Sequence, residues 1–322
     1  MQNIRPMRKL YYFLIAIFTL SGGELLAQQE TQFTQYTFNT LFYNPAYAGV
    51  EGLTKITAAH RTQWAGYGYG NPISQIVSFT TPIYRLSSGF GVHFVQDRAG
   101  PESVMQLQGS YAYHLHLKEL RTKLSFGARF GAVAKSIDEG RFEPNDIDDP
   151  LLKLGQAYEI QPDFGAGVYI QSSKVFGGVS FSHLMKSEFQ YANDLSRNPL
   201  ENHMYVLFGY DYEYGRKVVL TPSLLVQSDF NTYNFTLSTI ANLDDKYWAG
   251  LSFRQGESIN IITGYSVLKD KSLRFGYSFD YVVKGRDAKS GAGSHEALIT
   301  YTMPQAKPNR KKIIRDPRFR HE

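Results

Sequence analysis

The first concentration of chemistry-bearing side chains in this sequence is His60-Arg61-Thr62-Gln63-Trp64. A histidine beside an arginine is a combination that supplies a base and an anion-binding group. His114 and His116 lie two residues apart, Asp97-Arg98 leads into Gly100-Pro101, and Ser180 and Ser182 add hydroxyls at the same spacing of two. Asp/His or Ser/His groups of this kind could build a hydrolase, which is one function class to weigh. The spacings argue against it. Two histidines at i and i+2 without a third ligand nearby are a weak metal signal. Neither a nucleophile elbow nor a zinc-protease helix motif is present. Asp138, Glu139, Glu143, Asp146, Asp148 and Asp149 form an acidic cluster, but the turn glycine and closing glutamate of a twelve-residue calcium loop are missing, so a solvated loop is expected. No cofactor motif occurs. The expectation is a protein without catalytic residues, metal or cofactor, in which His60, Arg61, Asp97, His114 and His116 face a polar interior as packing and hydrogen-bonding groups.

The elements that must carry these residues are set by a period of two. Leu273, Phe275, Tyr277, Phe279, Tyr281 and Val283 alternate with Ser272, Arg274, Gly276, Ser278, Asp280 and Val282. Met204, Val206, Phe208, Tyr210, Tyr212 and Tyr214 alternate with His203, Tyr205, Leu207, Gly209, Asp211 and Glu213. Leu124, Phe126, Ala128, Phe130, Ala132 and Ala134 share one face of a third segment, opposite Lys123, Ser125, Gly127, Arg129 and Lys135. Successive side chains of a strand point to opposite faces, so each segment has an apolar face and a polar, glycine-rich one. The segments run to about 10–13 residues, longer than the usual 5–6 of soluble sheets and enough to cross hydrocarbon when tilted. Fourteen can be drawn between residues 54 and 303. Short connections fall on even positions and the long ones, 137–161, 184–202 and 284–293, on odd positions. An all-β, transmembrane antiparallel barrel of about 14 strands follows, with both barrel ends on the periplasmic side. Its lipid face should include Phe275, Tyr277 and Phe279, while Arg274, Ser278 and Asp280 point inward; an arginine at Ser278 should be milder than one at Phe275.

Composition agrees. The 322 residues include 23 Tyr and 22 Phe but no cysteine, and mean hydropathy is slightly negative. Aromatic girdles at both interfaces mark membrane barrels, and the lack of cysteine excludes a disulfide scaffold, a thiolate metal site and a lipid-anchored cysteine. Arg5, Arg8 and Lys9 precede an apolar run from Leu10 to Leu20 and end in Leu25-Leu26-Ala27. Residues 1–27 therefore read as a cleaved signal peptide, too short to span a bilayer. Residues 28–53 read as an N-terminal periplasmic or plug segment, rich in turn signals. Residues 304–322 hold Lys307, Arg310, Lys311, Lys312, Arg315, Arg318 and Arg320 against Asp316 and Glu322. This basic tail, expected in the periplasm, accounts for most of the formal +5 charge. No folded basic face remains, so nucleic acid is excluded as a partner.

Several exact words carry a further signal. Gln35-Tyr36-Thr37-Phe38-Asn39 followed by Tyr43-Asn44-Pro45-Ala46-Tyr47-Ala48-Gly49 resembles the opening signature of the PorP/SprF family, outer-membrane proteins of the type IX secretion and gliding system of Bacteroidetes. His60 to Gly66, with Asn71-Pro72 and Ser74-Gln75, resembles that family's second block, and Asp97 to Pro101 and Gly293-Ser294-His295-Glu296 complete the pattern. The resemblance implies a fatty-acid-transporter-like barrel embedded in outer-membrane lipid, with no enzymatic activity. It implies a part in the export or cell-surface attachment of a large secreted cargo, notably an adhesin with a dedicated C-terminal domain. Asn44, Pro45, Tyr47, His60, Arg61, Gln63, Trp64, Asp97, Arg98, His295 and Glu296 are thereby candidate plug, lumen or partner contacts. Arg310, Lys311, Lys312, Arg315, Arg318 and Arg320 are candidate contacts for a periplasmic ring lipoprotein of the secretion system or for peptidoglycan. The alternative is an outer-membrane pore or transporter for hydrophobic small molecules.

Overall fold

The alternating segments become strands because only the strand period places every aromatic on one side and every hydroxyl or charge on the other. The computed structural model describes residues 30–66, 70–138, 156–190, 197–268, 270–283 and 293–304. The first half of the wall is β1 (Lys55–Thr62), β2 (Ile73–Ile83), β3 (Ser88–Ala99), β4 (Glu102–Leu117), β5 (Thr122–Asp138), β6 (Gln156–Gln171) and β7 (Val175–Ser182). Two short strands, β8 (Glu188–Gln190) and β9 (Arg197–Pro199), form a separate hairpin. The wall resumes with β10 (His203–Tyr210), β11 (Tyr212–Tyr214), β12 (Val218–Ser228), β13 (Tyr233–Leu243), β14 (Tyr247–Arg254), β15 (Ser258–Ser266), β16 (Leu273–Val282) and β17 (Ser294–Thr302). β10 and β11 both pair with β12 and are one strand interrupted at Asp211, so the wall has fourteen strands.

Every neighbouring pair is antiparallel, and β1 pairs with β17 while β10 bridges β7 and β12. The sheet is a closed barrel with no free edge, which satisfies its backbone groups internally. Short turns such as Tyr84–Leu86 gather at the end where β1 begins and β17 finishes. The connections after β5, β7 and β16 gather at the other, long-loop end. β6 meets β7 only from Ala166 onward, so its first ten residues project with β5 beyond the wall as a long hairpin. The β8–β9 hairpin tucks against the inner face of this projection, where Phe189 and Leu200 are buried on Val133.

Alternation assigns the faces. Phe275 and Tyr277 are outward and exposed, whereas Ser278 and Asp280 are wholly buried inside. Outward residues of the wall include Leu107, Phe130, Leu237, Leu251, Ile261 and Ile299, the apolar belt of a lipid-facing surface. The interior is packed. Residues 30–52 fill it, and Ser278 is wholly buried there. Ser278→Arg must therefore enter a packed interior and is expected to be costly, which heat-modifiability of the folded barrel measured beside Phe275→Arg checks. Residues 1–29, 139–155 with most of the acidic cluster, and 305–322 with the basic tail lie outside the described residues.

Candidate functional site in the plugged lumen

The plug is built from short turns because its sequence lacks a sustained period of either kind. Turns at Tyr36–Phe38, Thr40–Tyr43 and Pro45–Tyr47 follow one another. Asn44 starts the last of these: its Oδ1 accepts from Ala46 N at 2.9 Å, and Pro45 supplies the fixed φ favoured at a first helical position. The aromatics stack edge-on, Phe33 on Phe42 at 5.7 Å, Phe42 on Tyr43 at 4.9 Å and Tyr43 on the wall residue Tyr205 at 5.5 Å between centroids. Chain direction is set by the two ends. Glu30 contacts His183, just past β7 at the long-loop end, whereas Glu51 pairs with Lys55 Nζ at 2.6 Å at the short-turn end. The segment therefore threads the barrel lengthwise before entering β1. Its first described residue sits at the long-loop end, opposite to the side on which the sequence placed an N-terminal periplasmic segment.

The Asn44-to-Gly49 block is seated on glycines of the wall. Asn44 Nδ2 donates to Val168 O at 3.0 Å and Ser180 Oγ donates to Tyr43 O at 2.5 Å. Arg129 donates through Nη2 to Phe42 O and through Nη1 to Gln108 Oε1, both at 2.9 Å. A Cβ on Gly127 would lie 2.3 Å from Ala46 N, and one on Gly89 would lie 2.0 Å from Ala48 O. Plug backbone and wall backbone thus touch without intervening side chains. Gly127→Ala is expected to cost about 1–3 kcal/mol through overpacking, read from urea titration of the folded, heat-modifiable form. Gly109→Ala is the control, because its added Cβ meets nothing nearer than 3.9 Å. Equal losses in both variants would sink the seat.

Toward the long-loop end the lumen holds an ionic cluster. Arg61 and Glu296 are direct cross-strand partners on β1 and β17, the first and last strands. Arg61 Nη1 lies 2.6 Å from Asp280 Oδ2 and 3.4 Å from Glu296 Oε2. Arg254 Nη1 reaches Glu257 at 3.2 Å and Asp280 at 3.7 Å. Thr34 of the plug sits among them. Its Oγ1 accepts from Arg61 at 2.8 Å and from Arg254 at 3.1 Å, and donates to Asp280 at 2.8 Å. Glu296 accepts from the backbone N–H groups of Thr34 (2.7 Å) and Gln35 (3.0 Å). One network therefore closes the barrel seam and fastens the plug to it.

A second cluster joins Glu30 to the ends of β7 and β10. His183 Nε2 bonds Glu30 Oε1, and His183 Nδ1 lies 3.1 Å from Asp163 Oδ1. His203 Nδ1 lies 2.9 Å from Glu201 O, and the His183 and His203 rings meet edge-to-face at 5.7 Å. Burial alone would raise the Glu30 carboxyl, but the His183 charge and hydrogen bond hold it at about 2. Burial would likewise lower His183, but Glu30 and Asp163 hold it up at about 9.

The residues singled out in the sequence do not gather into one reacting centre. Asn44, Pro45 and Tyr47 lie buried in the plug, and Arg61 and Glu296 in the seam network. Gln63 donates to Glu257 at 3.3 Å, and Trp64 N donates to Ser294 Oγ at 3.1 Å, both where β1 leaves the wall. Asp97 accepts from Ser74 on the inner side, and its neighbour Arg98 is exposed. One placement is corrected. His60 points outward, because it and Arg61 are adjacent in one strand and cannot share a face. His116 is exposed at the end of β4, while His114 is buried with Nδ1 2.8 Å from Ser125 Oγ. His295 also faces outward, its Nδ1 2.6 Å from Tyr277 Oη. Thr34, Arg254, Glu257, Glu30, His183 and His203 were not foreseen. Arg254 is legible afterwards as an inward position of its strand, but no spacing links residues as far apart as Glu30 and His183.

Comparison with known proteins bears on what such a plugged barrel is. Solved structures similar to it include a Pseudomonas aeruginosa FadL homologue (13% identity, 88% of this chain and 95% of that one, TM-score 0.44). Others are the P. putida toluene transporter TodX (9% identity, 79% and 90%, TM-score 0.45) and the Acinetobacter baumannii outer membrane protein Omp33 (7% identity, 78% and 98%, TM-score 0.46). No curated protein matches the sequence. The family model for the type IX secretion system membrane protein PorP/SprF matches residues 25–301. With that match over most of its length and a closed fourteen-strand barrel, the chain belongs to the PorP/SprF family of type IX secretion system membrane proteins and is an outer-membrane protein.

Proposed function

We propose that this barrel is a non-enzymatic anchoring component of the type IX system, assisting the export or surface attachment of a large adhesin-like cargo. The observation that carries the reading is the filled lumen: residues 30–52 are bonded to the wall from Thr34 at one end to Glu51 at the other. A barrel packed in this way is suited to present fixed surfaces to partners. In this reading the long-loop end is extracellular and receives the C-terminal domain of the cargo. The short-turn end is periplasmic, and a vestibule of about 520 Å³ opens there beside Lys55, Arg274 and Pro304. In this reading Arg310, Lys311, Lys312, Arg315, Arg318 and Arg320 attract an acidic ring lipoprotein or peptidoglycan.

Truncation after Met303 in the native host tests this. The barrel is expected to assemble, because the closing strand ends at Thr302, while surface display of cargo and copurification of periplasmic partners fall. Wild-type display with every partner retained would remove the tail from the mechanism. Loss of the whole gene with display unchanged, accompanied by uptake of hydrophobic solutes in proteoliposomes, would instead favour the transporter reading.

A further inference from the structure

We propose that Glu30, His183 and His203 form a divalent transition-metal site that staples the start of the plug to the barrel wall. One ligand atom from each of the three lies within 4.8 Å of the others. Two imidazoles and a carboxylate are a donor set that zinc accepts, with a fourth position left for water. The residues come from three separate places: the plug, the chain just past β7 and the first residue of β10. His203 is paired in register with Ser182, so an ion held by all three would join the plug to two adjacent strands of the wall.

The surroundings are arranged as metal-binding histidines require. A ligating histidine donates its other ring N–H to a carboxylate or carbonyl, which fixes tautomer and orientation. His183 has Asp163 Oδ1 at 3.1 Å from Nδ1 as a charge contact outside hydrogen-bonding geometry, and its Nε2 is the atom that faces Glu30. His203 has the Glu201 carbonyl 2.9 Å from Nδ1, which leaves Nε2 for the ion. Both histidines are buried, and Glu30 Oε2 is buried without a hydrogen bond. A small cleft of about 10 Å³, bounded by His203, Gln227, Ser228, Asp229 and Thr232, adjoins Glu30. Tetrahedral zinc bonds of about 2.0–2.1 Å require the three groups to draw together, a movement within reach of side-chain rotation.

The test uses tag-free protein purified from its own membrane in detergent and stripped with a chelator. Co²⁺ is titrated while its visible absorption is recorded, and Zn²⁺ is then added as competitor. One Co²⁺ per chain is expected, with the intense bands of a four-coordinate site that Zn²⁺ abolishes. His203→Ala and Glu30→Gln should each weaken binding at least about tenfold, and Asp163→Asn about 10–100-fold by freeing the ring it orients. Each variant is first checked for the heat-modifiable folded form. Glu30 belongs to no strand, so Glu30→Gln carries the test if His203→Ala does not assemble. Binding that is equal in wild type and Glu30→Gln would place the ion elsewhere and overturn the site. Folded wild type that takes up no stoichiometric Co²⁺ or Zn²⁺ would leave only a Glu30–His183 ion pair.

Discussion

Arg61→Met is expected to cost about 3–5 kcal/mol of barrel stability, the loss associated with removing one partner from a buried ionic network. Arg61 is 1% exposed, and its guanidinium faces Asp280 and Glu296, which are equally buried. Without it Asp280 keeps only Arg254, which already serves Glu257, and Glu296 has no cationic partner left among the described residues. The hydroxyl of Thr34 loses a donor at the same moment, so the start of the plug loosens together with the seam between the first and last strands. The measurement is urea-induced unfolding in detergent, followed by tryptophan fluorescence and by electrophoretic heat-modifiability. A second substitution separates charge from packing. Asp280→Asn in the Arg61→Met background should recover part of the loss, since it removes a stranded charge, whereas in the wild-type background it should destabilise. Losses that simply add would mean the two residues do not form a working pair.

The wall was legible in the sequence because one physical rule governs it everywhere. A barrel strand must alternate, so Phe275 and Ser278 declare opposite faces without knowledge of any neighbour, and the long and short connections sort by end. The interior was less legible. Residues 30–52 have no sustained period, and their fit depends on where Gly89 and Gly127 come to lie, which only closure of the barrel decides. The family resemblance marked Asn44 to Gly49 as words without giving the reason for them; backbone contact with glycine is that reason. The seam shows the same division. His60-Arg61-Thr62 and Ser294-His295-Glu296 were visible as separate blocks, and the structure pairs them residue by residue across β1 and β17. His60 was misplaced because its chemistry suggested an interior role, although parity with Arg61 already forbade it. The Glu30, His183 and His203 cluster carried no signal at all, since each residue alone is an ordinary polar group near a strand end.

Ile261→Arg is expected to destabilise the protein by about 2–4 kcal/mol, the cost of a cation at the bilayer midplane. Ile261 is 55% exposed near the middle of β15, and its cross-strand partners Leu251 and Phe279 lie on the same outer face. In lipid these apolar neighbours offer an arginine no acceptor. Its long side chain must then stretch toward an interface or draw water into the hydrocarbon. Ile262, the next residue, is 1% exposed and packs inside with Ile240 and Trp248. One step along the chain thus exchanges lipid for the packed interior. Asn242→Arg is the matched control: it adds the same charge where the side chain lines the vestibule beside Asp245 and Asp270. That change should cost about 1 kcal/mol or less, as for positions near an interface. Unfolding from lipid vesicles measures both variants against wild type. A small loss at Ile261 together with a large one at Asn242 would mean that the belt through Leu251, Ile261 and Phe279 does not face lipid, and the assignment of faces around this half of the barrel would fall with it.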